Sequence, residues 1–281
     1  MIRIGLAGWG DHDVLYEQGA AARDKLKVYS RYFRTVEVDS SFYAVQSPDQ
    51  FARWVGDTPP DFTFVIKAYQ GMTGHARGSI PYPDAASMFR AFCESIRPVV
   101  EAGKLTCVMF QYPPWFDCTR TNVELLRQAK RLMGDLPLAL EFRHQSWFTA
   151  DMREKTLAFM KKEGWVHSIC DEPQAGVGSI PTVLQPTDDA LTIVRMHGRN
   201  AANWNQGGGP NWREVRYLYR YSESELLEWK AHLTGLQQQT KEICVIFNNN
   251  SGGDAAHNAL ELMRLLGMPT EPLAPRQLDL F

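Results

Sequence analysis

PLALEFRHQSW, residues 137–147, alternates Leu140 and Phe142 with Glu141 and Arg143. Strand side chains switch faces with a period of two, so one face of this segment is apolar and the other charged. The pattern recurs along the chain. Val36 and Val38 alternate with Glu37 and Asp39 in TVEVDSSFY (35–43), and Val194 and Met196 alternate with Arg195 and His197 in LTIVRMHGR (191–199). DFTFVIKAY (61–69), LTCVMFQYPP (105–114), WVHSICDE (165–172), ICVIFNNNS (243–251) and the opening Ile2–Ala7 bring the strand-like runs to eight. Eight strands with mostly helical crossovers imply a parallel sheet, and eight is the number that closes around a side-chain-filled interior. The fold expected is α/β, a (β/α)8 TIM barrel. Its aliphatic phase packs on helices, and its charged phase gathers at the C-terminal ends of the strands, where such barrels place active sites.

Helices are expected over about Ala20–Phe33, Ser47 to Gly56 with Ser47 as N-cap and Pro48 in the first turn, Asp84–Ala102, Thr121–Met133, Thr149–Lys162, Glu223–Gln239 and Asp254–Leu266. Gln70–Pro83, after strand three, reads as an inserted loop, and Gly198–Tyr221, after strand seven, as a long one. Glu172–Asp189 lacks a helical period, so the sixth crossover is irregular. One domain spans 1–268, and 269–281 forms an extended C-terminal tail.

The 281 residues are 44% hydrophobic, enough for one large core, and their formal net charge is -2. That balance argues against holding nucleic acid by bulk charge, which needs a dense basic surface. The five cysteines lack metal-knuckle spacing and read as reduced thiols, which points to the cytoplasm. No apolar run reaches the ~18 residues needed to cross a bilayer, so no membrane partner is expected.

The charged phase offers Glu37, Asp39, Lys67, Gln111, Glu141, Arg143, Asp171, Arg195 and His197, with Asn248 from strand eight. A salt-bridge network closing the barrel top is the plain interpretation. Buried ion pairs, however, stabilise poorly against apolar packing, and coupled charges in a cleft mark reacting sites. Lys67, Arg143 and Arg195 suit an anionic substrate, with Gln111, His144 and Asn248 as further substrate contacts. Glu37, Glu141 and Asp171 suit general acid and base work, and His197 a proton shuttle. A divalent metal on Glu37, Glu141, Asp171 and His197 is the alternative that the neighbouring cations oppose, and no cofactor or metal ligand is assigned. Asn248-Asn249-Asn250 followed by Ser251-Gly252-Gly253 suits either polar ligand groups or turn chemistry. His12 is a weaker candidate.

GLAGW, TVEVDSSFY, FVIKAYQGMTGH, FQYPPWF, LEFRHQSWF, VRMHGR and VIFNNNSGGDAAHNA together resemble domain-of-unknown-function family 72, the YecE-like proteins. The resemblance runs from strand one to the last helix. It implies a (β/α)8 barrel and brings no assigned activity with it. It also implies that Glu37, Lys67, Gln111, Glu141, Arg143, His144, Arg195, His197 and Asn248 belong to the family's motifs. Asp39 and Ser41 stand where the family pattern has Asn and Thr.

The tail Gln277-Leu278-Asp279-Leu280-Phe281 resembles the short peptide by which bacterial replication and repair proteins bind the DNA polymerase sliding clamp. Leu280 and Phe281 read as apolar anchors and Gln277 as a polar key. A tail folded back on the barrel is the alternative. Gly198–Tyr221 interleaves Arg199, Arg213, Arg216 and Arg220 with Trp204, Trp212, Tyr217, Tyr219 and Tyr221, which suits either base stacking or a lid. Three functions are therefore expected to compete. One is an enzyme on a phosphate-bearing or other anionic substrate, extending to nucleic acid and associated with the clamp. Another is a metabolic enzyme on a small sugar-like or anionic molecule. The third is a non-catalytic clamp adaptor.

Overall fold

Strand β1, Ile2–Ala7, pairs on one side with β2, Thr35–Val38, and on the other with β8, Glu242–Phe247. The second pairing joins the first and last strands and closes the sheet. The computed structural model describes residues 1–17, 19–204 and 215–273. The remaining strands are β3 (Thr63–Lys67), β4 (Leu105–Gln111), β5 (Leu138–Glu141), β6 (Trp165–Asp171) and β7 (Leu191–Met196). They follow one another in sequence order around a closed barrel, each parallel to the next, as the eight alternating runs predict. The candidate clamp peptide Gln277, Leu278, Asp279, Leu280 and Phe281 lies outside the described residues, as do Trp212 and Arg213.

The crossover helices start where the sequence supplies caps. Ser47 accepts a hydrogen bond from the Gln50 amide, with Pro48 in the first turn, and opens Pro48–Gly56. Asp84 caps Ala85–Glu101, and Thr119 caps Arg120–Met133. Ser222 and Glu225 form a reciprocal capping box at Glu223–Leu236. Arg153–Glu163 and Asp254–Leu265 complete the outer ring. Several expected elements are shorter in the structure; the helix expected over Thr149–Lys162 begins at Arg153, and that over Glu223–Gln239 ends at Leu236. The first helix covers only Lys25–Tyr32 and is preceded by a 3-10 turn at Ala22–Asp24, none of whose residues is buried. TVEVDSSFY leaves the strand after Val38 and turns helical at Ser40–Tyr43. There the Ser41 hydroxyl donates to the carbonyls of Val38 and Lys67. No helix occupies the crossover from β6 to β7, as expected, and the long connection after β7 begins with a short helix at Ala201–Trp204.

Apolar side chains fill two separate regions. Val65, Cys107, Met109, Ala139, Val166, Ile193, Cys244 and Ile246 pack inside the barrel. A much larger set, including Val36, Val38, Leu140, Val194 and Met196, packs between sheet and helices. The aliphatic phase read from the sequence therefore faces the helices. The interior is apolar at mid-height and charged above. All five cysteines are free. No helix among the described residues is long and apolar enough to cross a membrane.

Gly5 pairs with Thr35 at the β1–β2 seam, and a Cβ placed on it would lie 2.2 Å from the Thr35 carbonyl oxygen. Backbone in the middle of a closed barrel cannot retreat cheaply. Gly5→Ala is expected to lower the unfolding free energy by about 1–3 kcal/mol, the usual cost of overpacking. The denaturation midpoint in urea measures this, and an unchanged midpoint contradicts it.

Candidate functional site

Glu141 ends β5 with its side chain fully buried inside the barrel. Arg143 is two residues on and shares its phase. Its Nε donates to Glu141 Oε1 at 2.6 Å, and Arg195 Nη1, from β7, donates to Glu141 Oε2 at 2.7 Å. Arg195 also reaches across the barrel to Glu37 of β2, and Arg143 Nη1 donates to Glu172 Oε2 at 2.9 Å. The result is one chain of alternating charges, Glu37–Arg195–Glu141–Arg143–Glu172, in which no side chain is more than 2% exposed. Glu172 is further held by the Ile180 amide, 2.7 Å from its Oε1.

His197 lies beside this chain, fully buried, with Nε2 3.0 Å from Arg143 Nη2 and Nδ1 3.0 Å from the Asn248 side-chain amide. A guanidinium can only donate, so Nε2 carries the lone pair and Nδ1 the proton. Of the two ends of the Asn248 amide, the oxygen is the one that can accept the Nδ1 proton. Burial and the Arg143 charge push the imidazole well below its ordinary pKa, which agrees with a neutral ring.

The carboxyls differ by environment. Burial opposes charge on Glu141, but Arg143 and Arg195 outweigh it and hold the group well below the usual carboxylate range. Burial raises Glu37, with Arg195 only partly offsetting it, and leaves Oε2 buried without a hydrogen-bond partner. Burial pushes Glu172 up to about 7 against the pull of Arg143.

Nearer the opening, Lys67 Nζ lies 3.1 Å from Asp39 Oδ1 and 5.0 Å from the centre of the Phe42 ring. Burial disfavours the ammonium, but Asp39 and Glu37 more than compensate and raise its pKa. Gln111 Oε1 is 3.5 Å from Arg195 Nη1. His75 packs edge-on against Phe42 and is depressed to about 4 by burial and by the charges of Lys67 and Arg143. From the loop after β7, Trp204 lies between Arg143 and Arg216, whose guanidinium carbons are 5.5 and 4.2 Å from its ring centre. Tyr217 lies 6.0 Å from His197.

Glu37, Lys67, Gln111, Glu141, Arg143, Arg195, His197 and Asn248 therefore converge as the sequence pattern predicts. Two expected members do not. Asp171 points outward, where its carboxylate accepts hydrogen bonds from Trp229 Nε1 and Arg199 Nε, both at 2.9 Å. In β6 the inward phase runs through Val166, Ser168 and Cys170 to Glu172, so the next residue takes the place expected of Asp171. Counting parity from Val166 along WVHSICDE finds it. His144 caps the 3-10 turn Gln145–Trp147 through its Nδ1 and stays outside the cluster. The Asn run divides its work. Asn248 faces His197, Asn249 bonds Tyr219 and Asn258, and the Asn250 side-chain oxygen meets His12 Nδ1 at 3.1 Å.

Glu141, Cys170 and His197 bring ligand atoms within 4.8 Å of one another. The set does not fit a divalent cation. Both Glu141 oxygens accept from guanidinium groups, His197 Nε2 faces Arg143, and burial pushes the Cys170 thiol well above its ordinary pKa.

The contrast between carboxyls is measurable. A carbon-detected NMR titration should show Glu172 with a midpoint near 7 and Glu141 still ionised well below 4.5. Because the folded pKa of Glu172 is raised, its contribution to stability is full below about 4.5 and is lost as pH rises through about 7. A Glu172 midpoint near 4.5 contradicts the assignment.

The family model described as protein of unknown function DUF72 matches residues 3–279. The UPF0759 protein YunF of Bacillus subtilis (strain 168) is 56% identical over 282 residues, covering all of both chains. The UPF0759 protein YecE of Escherichia coli (strain K12) is 27% identical over 157 residues, 56% of this chain and 54% of that protein. A crystal structure of a DUF72 family protein from Enterococcus faecalis V583 superimposes with a TM-score of 0.91 at 36% identity, covering 99% of this chain and all of that one. Another, from Thermotoga maritima MSB8, gives 0.81 at 31% identity, covering 95% and 99%. With the family's model matched over almost its full length and its barrel reproduced, the chain belongs to the DUF72 family.

Proposed function

We propose that the protein is an enzyme that moves protons on a small anionic or sugar-like molecule at the C-terminal face of its barrel. The observation that carries this reading is Glu37 Oε2, a buried carboxyl oxygen with no partner on a group whose pKa burial raises. Buried polar atoms are almost always paired, so an unpaired oxygen on a carboxyl of raised pKa within a charged cluster marks a group held for proton chemistry. Glu37 is then the general acid or base, and neutral His197 the second proton carrier. Lys67, Gln111 and Asn248 contact the substrate, with Lys67, which is 15% exposed and has ammonium protons beyond its pair with Asp39, meeting its anionic group. Arg143 and Arg195 are spoken for by carboxylates, so they fix Glu141 and His197 instead of clamping an anion. Trp204 is 2% exposed, and Arg216 stacks inward on it. Among the described residues this part of the loop is a wall of the site and offers no open face to nucleobases, which favours a small molecule over nucleic acid.

Incubating the protein with a bacterial metabolite extract, followed by mass spectrometry, tests the reading. Wild type should deplete at least one small anionic metabolite. Glu37→Gln should bind it without consuming it, and Lys67→Met should weaken binding at least tenfold. Equal depletion by wild type and Glu37→Gln contradicts the proposal.

A second reading, recruitment to DNA through the sliding clamp, is supported by the sequence QLDLF at 277–281. Short peptides lose freedom on ordering, so a micromolar Kd is expected, on the order of -8 kcal/mol, concentrated in Leu280 and Phe281. Titrating purified clamp with the full chain and with a version ending at Pro275 should show binding by the full chain alone. Equal binding by both, or by neither, removes the clamp role.

A further inference from the structure

A cavity of about 230 Å³ lies outside the barrel between the loop after β3, the loop after β4 and the helices Ala85–Glu101 and Arg120–Met133. Met88, Phe89, Tyr112, Trp115, Phe116 and Leu125 are among the residues that line it, and none of its lining residues is charged. It shares no residue with the charged cluster, so its argument is independent of the function proposed above.

Tyr112 is the informative member. It is 3% exposed and stacks on Phe116 with ring centres 4.1 Å apart. Buried tyrosine hydroxyls normally find a hydrogen-bond partner. Among the described residues this one has none, and its oxygen is not among the unpaired atoms sealed from solvent. Tyr112 lines the cavity, so a molecule held there can meet this hydroxyl in place of water. Burial without a compensating hydrogen bond also pushes its pKa far up, so the group stays a neutral phenol that can donate or accept. Trp115, 55% exposed, stands at the rim, with the Arg77 guanidinium 5.6 Å from its ring centre.

We propose that this cavity binds a small, neutral, flat ring carrying one hydrogen-bonding group, which Tyr112 reads. The size fits, since an apolar cavity of about 150 Å³ accepts benzene. With no charged residue in its lining, the cavity favours a neutral ligand over an ionised one, whose dehydration the walls would not offset. The aromatic walls favour a ring over an alkyl chain through stacked and edge contacts.

Phenol and toluene, which differ by a hydroxyl in place of a methyl, are the probes. Calorimetric titration measures affinity, and the Trp115 indole N–H signal in an NMR spectrum locates the binding. Phenol should saturate with a Kd below about 1 mM, bind more tightly than toluene and move the Trp115 signal. Tyr112→Phe removes one unpaired oxygen and should leave the fold intact. It should weaken phenol about tenfold, one hydrogen bond's worth, and leave toluene unchanged. Ala85→Trp, a change at an exposed lining position, should block both probes without altering the circular dichroism spectrum. Non-saturable binding, equal affinity for phenol and toluene, or equal phenol binding by wild type and Tyr112→Phe would each overturn the proposal.

Discussion

The carboxylate of Glu141, gripped by one guanidinium on each oxygen, fixes the rest of the site. It stands at the end of β5, takes Arg143 from its own strand phase and Arg195 from across the barrel, and through them positions Glu37 and Glu172. Dehydrating five charges costs several kcal/mol per ion before pairing repays it. Such an arrangement holds only while every partner is present. The loss of either arginine would strand a buried carboxylate at a cost of about 3–5 kcal/mol. The same guanidinium that pins Glu141 decides the tautomer of His197, because Arg143 can only donate to it.

Polar side chains outside the barrel hold the loops above this layer. Asp171 binds Arg199, which continues to Glu225 and Glu228 and so anchors the start of the β7 loop on the helix Glu223–Leu236. Asn249 and Asn258 secure the other end of that loop at Tyr219 and Tyr221. His12 and Asn250 join the loops after β1 and β8 across the point of closure. With both ends fixed, Trp204 and Tyr217 are brought over Arg143 and His197. The charged interior and this outer framework share no side chain and meet through Trp204 and Tyr217.

Strand number and order were legible from eight apolar runs, phase from the alternation at Val36–Asp39, Leu140–Arg143 and Val194–His197, and the cap at Ser47 from residue type. Most of the charged cluster followed from phase alone. Asp171 and His144 both stand in the outward phase of their own runs, since Val166, Ser168 and Cys170 share the inward phase with Glu172, and Glu141 shares it with Arg143. Glu172 was hidden behind Asp171. Pairing was not legible at all. Nothing in the sequence says that Arg143 and Arg195 spend their donors on Glu37, Glu141 and Glu172, because ion-pair choice depends on distances across the barrel. The inward stacking of Arg216 on Trp204 and the unpaired hydroxyl of Tyr112 also depend on how separate elements meet.

The account holds that the five-charge chain is maintained for chemistry and that apolar packing would hold the barrel at least as well. Replacing the whole chain at once, as Glu37→Leu, Glu141→Leu, Arg143→Met, Glu172→Leu and Arg195→Met, separates the two roles. Denaturant unfolding of this variant should give a free energy equal to wild type or higher by about 1–4 kcal/mol, while depletion of the anionic metabolite disappears. A barrel that instead loses several kcal/mol, or fails to fold, would mean that the charges are its structural closure, and the central claim would be wrong.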